Sequence, residues 1–372
     1  MSRPDDTQFM KMALMLAERG LGQVAPNPAV GCVIVREVGG MPRVVGRGWT
    51  QDGGRPHAET EALGRACALA RGATAYVSLE PCAHQGKTGP CAQALIDAGV
   101  ARVVGAVSDP NPLVAGRGFA MLEAAGVAVT ENVCGDEARH LNAGFFLTMS
   151  EERPLVTLKI ASSLDGRSAT HDGQSQWITG ERARNRGHLL RATHDAIMVG
   201  SATAVVDDPQ LTCRLPGLGG RSPVRIVADG RLRLPLTSKL VRDARKTPVW
   251  VLTLPGGDDA RRKAFEDCGV ILIDVAPGDD GLMNMRAALE KIAGRGVTRL
   301  LVEGGARLAA SLMRSRLVDR IEWFQSPKVI GGDGYPAIAG LGVKHVDNAP
   351  VFALRELISL GEDSLASYVL RS

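Results

Sequence analysis

Three residues in the first third of the chain have the types and the spacing of a metal site, and a fourth could transfer protons beside it. His57 and Glu59 lie two residues apart, Cys82 follows Pro81, and Cys91 comes nine residues later. Imidazole nitrogen and thiolate sulfur are ligands that Zn²⁺ binds readily, and three protein ligands leave the fourth tetrahedral position open for water. A neighbouring carboxylate is suited to general acid–base catalysis. The pattern therefore predicts a catalytic zinc site held by His57, Cys82 and Cys91.

These residues resemble the signature H-x-E…P-C-x-x-C of the zinc deaminases, although eight residues instead of two separate the cysteines here. The resemblance implies that the metal activates water for attack on a heterocycle, and that Glu59 takes the proton and delivers it to the departing amine. The alternative is a closed structural zinc site with His84 as a fourth ligand. His84 follows Cys82 by only two residues, and we expect it to face the substrate instead.

The composition indicates a globular protein of two domains. The chain has 372 residues, of which 45% are hydrophobic and 23% charged, and such a length accommodates two cores. Its 44 basic and 40 acidic residues give a net charge of +4 without long runs, which fits anionic small molecules and does not require nucleic acid. Seven cysteines without an export signal or a membrane-spanning stretch predict reduced thiols and a cytoplasmic location.

Apolar periodicity predicts alternating strands and helices in the first half, and hence an α/β fold with a mostly parallel sheet. We expect helices at 5–19, 57–70 and 91–98, and strands at 29–35, 75–79 and 102–107. Both halves of the metal motif then lie where a helix follows a strand, which is where open α/β sheets bind ligands. Pro81 is expected to fix the entry into the second helix, whose first N–H groups favour a thiolate.

The pattern changes between about residues 146 and 154, where Arg153-Pro154 ends a helix, and we therefore place the domains at 1–150 and 151–372. Strands are expected in the second domain at 155–160, 195–200, 224–228, 249–253, 270–275 and 299–303. Helices are expected at 181–191, 259–267, 282–293 and 306–315. The last part of the chain, from residue 319 onwards, is predicted to be rich in strands joined by glycine turns.

The residues around the metal motif resemble the deaminase half of the bifunctional riboflavin-biosynthesis deaminase/reductase family. The matching segments are PNPAVG at 26–31, PHAE at 56–59 and PCAHQGKTGPC at 81–91. The resemblance implies a cytidine-deaminase-like three-layer α/β/α zinc domain in which Asn27 recognises the base, and His84 and Lys87 hold the pyrimidine and its phosphate. Thr50 stands where the family often has histidine, which puts one substrate contact in question, and Gly89 stands where it tends to have proline.

The second half contains no G-x-G-x-x-G after a predicted strand, so an ordinary Rossmann dinucleotide site is unsupported. Instead, a strand at 301–303 runs into Gly304-Gly305, a turn that lets backbone N–H groups approach a phosphate at the start of a helix. Segments 159–167, 175–180 and 200–214 resemble the reductase half of the same family. The resemblance thus covers nearly the whole chain and implies a dihydrofolate-reductase-like α/β domain.

Residue by residue, the resemblance implies contacts with NADPH at Ala161, Trp177, Thr203, Asp207, Glu303 and Gly305. It implies contacts with the substrate at Ser175, Arg191, Leu211 and Arg214. The two arginines suit a ribose phosphate because guanidinium binds phosphate oxygens bidentately. Lys159 and Asp207 are both candidates for delivering the proton that accompanies hydride transfer. No arginine can be assigned to a 2′-phosphate, so the preference for NADPH over NADH rests on the resemblance alone.

The sequence thus predicts a two-step enzyme with one zinc ion per chain and NADPH as cofactors. The first domain would deaminate 2,5-diamino-6-ribosylamino-4(3H)-pyrimidinone 5′-phosphate, and the second would reduce the ribosyl group to ribityl. The alternative is a nucleobase or nucleic-acid deaminase fused to a pterin-type reductase, but 4% aromatic residues and a nearly balanced charge disfavour nucleic acid. A zinc-stapled protein without catalysis would need a fourth protein ligand. The family implies a homo-oligomer, with no membrane partner.

Overall fold

A computed structural model describes residues 4–85, 89–111 and 114–371. The chain divides into two compact units, Met1–Glu151 and Glu152–Ser372. Within the described residues, no helix combines the length and the hydropathy needed to cross a bilayer. Each unit has its own sheet, and each is described by itself below.

The first unit packs helices against a five-stranded sheet with the order β2-β1-β3-β4-β5. Its strands are β1 (Gly31–Val38), β2 (Met41–Trp49), β3 (Thr74–Val77), β4 (Arg102–Gly105) and β5 (Ala128–Thr130). Its helices are α1 (Pro4–Ala17), α2 (Ala58–Ala66), α3 (Cys91–Asp97), α4 (Arg117–Ala124), α5 (Gly135–Leu141) and α6 (Ala143–Glu151). One-turn 3₁₀ helices lie at Glu18–Gly20, Asp52–Gly54 and Cys67–Ala70.

The prediction of a mostly parallel sheet is wrong for this unit, because β1 pairs antiparallel with both β2 and β3, while β3, β4 and β5 are parallel. Strand β2 is absent from the sequence prediction. The turn between β1 and β2 is Gly39-Gly40, and both glycines have positive φ (62° and 77°), as a two-residue hairpin requires. Most side chains of β2 are exposed, so the strand lacks the apolar run by which the others were predicted.

Glycines on β2 allow α2 to lie directly on the sheet. A Cβ atom built on Gly48 would overlap the carbonyl oxygen of Ala58, and one on Gly46 would overlap that of Ala62. The start of α2, which directly follows the histidine of the metal motif, is thereby fixed against β2.

The second unit contains a nine-stranded sheet with the order β11-β10-β9-β8-β12-β6-β13-β16-β15, and a small β14-β7 sheet. Its strands are β6 (Leu155–Ser162), β7 (Arg167–Ala169), β8 (Ala196–Gly200), β9 (Val224–Ala228), β10 (Val249–Thr253), β11 (Ile271–Asp274), β12 (Arg299–Glu303), β13 (Arg320–Gln325), β14 (Tyr335–Pro336), β15 (Phe352–Leu360) and β16 (Asp363–Leu370). Its α-helices are α7 (Glu181–Ala192), α8 (Ser201–Asp207), α9 (Lys239–Arg242), α10 (Asp259–Asp267), α11 (Met285–Ala293) and α12 (Ala306–Arg314). Two 3₁₀ helices lie at Gly219–Arg221 and Val346–Asn348.

The strands from β11 to β13 are parallel, and β16 and β15 continue the sheet antiparallel. Hydrophobic cores line both faces of this sheet, which explains why the parallel strands are nearly continuous apolar runs. The carboxyl ends of β6, β8, β9 and β12 share one edge, the edge at which parallel α/β sheets bind ligands.

Candidate active sites

Three elements of the first unit bring the metal motif together. His57 is the residue immediately before α2, Cys82 lies in the loop after β3, and Cys91 is the first residue of α3. Pro90, and not Pro81, precedes the second helix, so the predicted helix entry at Pro81 is wrong. Because the long loop intervenes, only the second of the two cysteines can start a helix.

The three side chains fit a zinc ion. Nδ1 of His57 is 3.3 Å from Sγ of Cys91 and 3.8 Å from Sγ of Cys82, and the three ligand atoms lie within 4.8 Å of one another. Tetrahedral zinc with ordinary bond lengths separates such atoms by roughly 3.5–3.8 Å. Among the described residues, no further histidine, cysteine or carboxylate joins this group, so His84 is not a fourth ligand and a position is left for water.

The first N–H group of α3 stabilises a thiolate at this site. The backbone N–H of Cys91 donates to Sγ of Cys82 at 3.3 Å. Hydrogen bonds from the Cys91 thiol and from His57 lower the pKa of Cys82 to about 4. The pKa of Cys91 is raised, because its thiol donates a hydrogen bond to Cys82 and because its side chain is buried. A thiolate is the form that binds zinc.

Glu59 lies beside the metal ligands, in the first turn of α2. Its side chain is buried, and its carboxylate forms a side-chain hydrogen bond with Cys91. Burial, and then the negative charge of Cys82, raise its pKa to about 7. This is the position that a proton-transferring group next to a metal-bound reactant requires.

The segment that carries Asn27 is held by side chains from distant parts of the chain. Oγ1 of Thr50 accepts from the backbone N–H of Val30 at 3.0 Å and donates to the carbonyl of Pro28 at 3.2 Å. The amide of Asn142 makes two 2.9 Å hydrogen bonds with the backbone of Ala29. Thr50 is only 2% exposed, so it supports this segment where the family often has a histidine.

The long loop between the cysteines is described only in part. Lys87, the predicted phosphate contact, lies outside the described residues, and His84 is exposed. Asp109, which was not among the predicted site residues, follows β4 and interacts electrostatically with Glu80, His84 and Cys82. Burial raises its pKa. Its place in the sequence could have indicated it, because polar residues that follow a parallel strand lie at the edge of the sheet where ligands bind.

The second site is built where β8 and β12 end. Gly304 and Gly305 have φ of 75° and 87°, a conformation that favours glycine. A Cβ atom on Gly305 would lie 3.3 Å from Oγ1 of Thr203 and 4.0 Å from the backbone nitrogen of Gly200. Two residues predicted to contact the cofactor, Thr203 and Gly305, are therefore adjacent.

Arg191 and Glu303, predicted to contact different ligands, bind each other. Nε and Nη2 of Arg191 donate to the two carboxylate oxygens of Glu303 at 2.8 Å each, and Nη1 donates to the carbonyl of Thr212 at 3.0 Å. Burial opposes ionisation of Glu303, but the charge of Arg191 outweighs it and lowers the pKa to about 2. Glu303 is the last residue of β12, so the pair lies at the strand end that leads into the Gly304-Gly305 turn.

Lys159 and His188 complete this charged cluster. Burial lowers the pKa of Lys159, against the attraction of Glu303, and Nζ lies 5.5 Å from the ring centre of Phe324. His188, which the sequence analysis missed, accepts at Nδ1 from the backbone N–H of Arg214 at 3.4 Å. Burial and the neighbouring arginines lower its pKa to about 4. Its position three residues before Arg191 on α7 would have placed both on one helix face.

The other predicted residues of this unit lie on several different elements. Trp177 is 62% exposed; the guanidinium of Arg184 lies 4.6 Å from its ring centre, and Lys328 donates to its carbonyl at 2.7 Å. Ala161 is half-buried on β6, Asp207 is the exposed last residue of α8, and Ser175 is half-buried before α7. The side chain of Leu211 belongs to the hydrophobic core. Their ligand contacts stay predictions.

Two family models match the two units. The cytidine and deoxycytidylate deaminase zinc-binding region matches residues 3–107, and the RibD C-terminal domain matches residues 154–365. The riboflavin biosynthesis protein RibD of Aquifex aeolicus is 39% identical over 363 residues, with 98% of each chain covered. That of Escherichia coli is 39% identical over 369 residues, covering 96% of this chain and 97% of the relative.

Solved structures resemble the whole chain as well. RibD of Acinetobacter baumannii superposes with a TM-score of 0.88 at 37% identity, with 99% of each chain covered. The TM-score is 0.84, at 33% identity, with a Thermotoga maritima structure described as a diaminohydroxyphosphoribosylaminopyrimidine deaminase/5-amino-6-(5-phosphoribosylamino)uracil reductase. That match covers 98% of this chain and 99% of the other. The cytidine-deaminase-like and reductase folds expected from the sequence are confirmed.

Proposed function

Because the chain belongs to the RibD family of bifunctional riboflavin-biosynthesis deaminase/reductases, we propose that it converts 2,5-diamino-6-ribosylamino-4(3H)-pyrimidinone 5′-phosphate in two steps. Residues 1–150 would carry the deamination and residues 151–372 the reduction. The observation that carries the proposal is the cluster of His57, Cys82 and Cys91 ligand atoms within 4.8 Å, beside the buried Glu59.

Deamination would depend on three metal ligands and one proton-transferring group. His57, Cys82 and Cys91 would hold the zinc ion, which would supply the Lewis acidity that makes water nucleophilic near neutral pH. Glu59 would take a proton from the attacking water and return it to the leaving amine. Asn27 and His84 would hold the pyrimidine, and Lys87 its phosphate.

Reduction would use NADPH, the hydride donor of this type of reductase, bound by Ala161, Trp177, Thr203, Asp207 and the Gly305 turn. Glu303 would act through its pair with Arg191, and Arg191, Arg214, Ser175 and Leu211 would border the substrate. Of the two candidate proton donors we propose Lys159, because it interacts electrostatically with Glu303 and Arg191, whereas Asp207 lies at the exposed end of α8. A buried ammonium of lowered pKa gives up its proton readily.

Further features complete the proposal. We propose a small-molecule substrate and not nucleic acid, which the low aromatic content of 4% supports. A homo-oligomer is proposed from the family resemblance. The seven cysteines all lie within the described residues and form no disulfide there, which supports the proposal of a reducing, cytoplasmic location.

The decisive experiment supplies the diaminopyrimidine phosphate with and without NADPH. Ammonia release is expected in both cases, and NADPH oxidation only after deamination. A chain that releases no ammonia, or that oxidises no NADPH with the deaminated compound, would contradict the corresponding half of the proposal. Ammonia release from cytidine or from RNA, with none from the phosphorylated pyrimidine, would favour the alternative deaminase.

A further inference from the structure

The loop after β9 adjoins the Gly304-Gly305 turn of the second unit. β8 and β9 are parallel neighbours, and Gly200 at the end of β8 pairs in register with Ala228 at the end of β9. A Cβ atom on Gly305 would lie 4.0 Å from the backbone nitrogen of Gly200, so the Gly305 turn lies near the end of β8. A dinucleotide whose phosphates lie at this turn would therefore extend one of its nucleosides towards the residues that follow β9, beginning with Asp229.

Asp229 is not available to that nucleoside. In Rossmann folds, an acidic side chain binds the ribose 2′-hydroxyl of NAD, whereas an arginine accommodates the 2′-phosphate of NADP. This unit has no Rossmann motif, but the same hydrogen-bond chemistry applies to any site that binds these dinucleotides. Asp229 is fully buried, and its Oδ2 accepts from the backbone N–H of Leu234 at 2.7 Å. From α10, Nη2 of Arg261 donates to the carbonyl of Leu234 at 2.9 Å. The loop is thus held in one shape with its acid turned inwards.

The side chain of Arg233 faces solvent, whereas that of Asp229 is buried. Its side chain is 64% exposed, its Nε lies 3.9 Å from Oδ1 of Asp229, and its Nη2 donates to Oγ of Ser201 at 2.6 Å. Ser201 follows Gly200 directly, so the guanidinium stands beside the turn. Guanidinium has five donors in a fork that matches phosphate oxygens, and the contacts with Ser201 and Asp229 leave part of the fork facing solvent.

We propose that Arg233 binds the 2′-phosphate of the adenosine half of NADPH and thereby makes the reductase unit prefer NADPH to NADH. The assignment rests on the proposed reductase function and supplies the arginine that the sequence could not single out. A phosphomonoester dianion gains charge-assisted hydrogen bonds from Arg233. NADH lacks this group and would gain nothing from the arginine.

The test is isothermal titration of the full chain with NADP⁺ and NAD⁺, a pair that differs only by the 2′-phosphate. The variants are Arg233→Ala and Arg233→Lys. The matched control is Arg262→Ala, an arginine of α10 that pairs with Asp274 on the outermost strand. Binding of the oxidised dinucleotides reports affinity without turnover.

Arg233→Ala is expected to weaken NADP⁺ binding at least about tenfold and to leave NAD⁺ binding within about twofold. The NADP⁺ affinity of Arg233→Lys should lie between those of the unaltered chain and Arg233→Ala, because lysine keeps the positive charge but not the forked donors of guanidinium. Arg262→Ala should bind both dinucleotides as the unaltered chain does. An unchanged ratio of the two affinities, or an equal loss for both dinucleotides, would overturn the assignment. If the unaltered chain oxidises NADPH with the deaminated substrate while Arg233→Ala keeps its preference, only this inference fails. If the unaltered chain binds neither NADP⁺ nor NAD⁺, the proposed reductase function fails as well.

Discussion

Glu59 and Glu61 lie in the same first turn of α2 but face different surroundings. Glu59 is buried against the metal ligands, whereas Glu61 pairs with Arg65 at 3.1 Å on the helix surface. Replacing Glu59 by Gln removes the proton acceptor and keeps the shape. We expect Glu59→Gln to retain zinc and to lose ammonia release by about 100-fold or more, measured together with metal content.

Glu61→Gln is the matched control and should leave both measurements unchanged. Normal deamination by a zinc-loaded Glu59→Gln protein would contradict the role assigned to Glu59.

Arg191 and Arg214 were both predicted to bind the substrate phosphate, but alanine variants of the two are expected to differ in stability. Removing Arg191 leaves the buried carboxylate of Glu303 unpaired, a change that typically costs about 3–5 kcal/mol, so a loss of activity would be ambiguous. Arg214 is exposed. We expect Arg214→Ala to raise the reductase KM for the phosphorylated substrate about tenfold with an unchanged melting temperature.

The comparison for that variant is Arg242→Ala, an exposed arginine on α9. Equal KM values for Arg214→Ala and Arg242→Ala would refute the phosphate contact.

His194 makes the stability of the second unit depend on pH. It is 2% exposed; Nδ1 donates to the carbonyl of Leu190 at 2.7 Å, and Nε2 accepts from Oγ1 of Thr157 at 3.0 Å. Burial, and then the charge of Arg299, lower its pKa to about 3. The unfolded chain binds this proton near pH 6.5 and the folded chain does not, so stability is full above about pH 6.5 and is lost as pH falls towards 3.

We expect His194 to contribute a loss of up to about 1.4 kcal/mol per pH unit below pH 6. Urea unfolding can be followed by the fluorescence of Trp177, Trp250 and Trp323. His194→Gln should flatten the profile between pH 7 and 5. Parallel profiles for both proteins would show that His194 does not titrate in this way.

At the level of elements, the carboxylate of Glu80, in the loop after β3, forms hydrogen bonds with the segment that leads into α4. Its buried carboxylate accepts from the backbone N–H groups of Asp109, Gly116 and Gly118 at 2.8–3.0 Å. A Cβ atom on Gly118 would overlap the carbonyl oxygen of Pro81. The segment after β4, which carries Asp109, is thereby fixed against the loop that carries Cys82.

We expect Glu80→Gln to reduce the amide-exchange protection of residues 114–118 and to weaken zinc binding in a chelator competition, because an amide NH₂ would face backbone donors. Glu123→Gln, exposed on α4, should change neither. Unaltered protection in Glu80→Gln would show that this carboxylate does not hold the segment.

Most elements follow from local pattern, and the departures have identifiable causes. The predicted and observed bounds agree for β9, β10, β12 and α10, because apolar runs and helix caps are local signals. The hairpin strand β2 was missed because its exposed side chains carry no apolar run. The turn at Gly39-Gly40 was the signal that could have indicated it.

For the whole molecule, each unit has its own sheet and core, and all three metal ligands lie in the first unit. We therefore expect removal of zinc with a chelator to abolish ammonia release from the diaminopyrimidine phosphate. NADPH oxidation with the already deaminated compound should continue. Added zinc should restore ammonia release, and added magnesium should not, because imidazole and thiolate ligands suit zinc.

A parallel loss of both activities on chelation would show that the second site depends on the metal. Full ammonia release by metal-free protein would contradict metal-dependent deamination.

The sequence by itself predicted the metal ligands and the acid–base carboxylate from residue type and spacing, and the two-step chemistry from the family resemblance. The zinc motif needed only His57, Glu59 and two cysteines in order. Tertiary structure alone decided which charges meet. The pairing of Arg191 with Glu303 joins residues 112 positions apart, and Arg233 reaches Ser201 across neighbouring strands. Such partners follow from strand order and register, which a linear pattern does not specify.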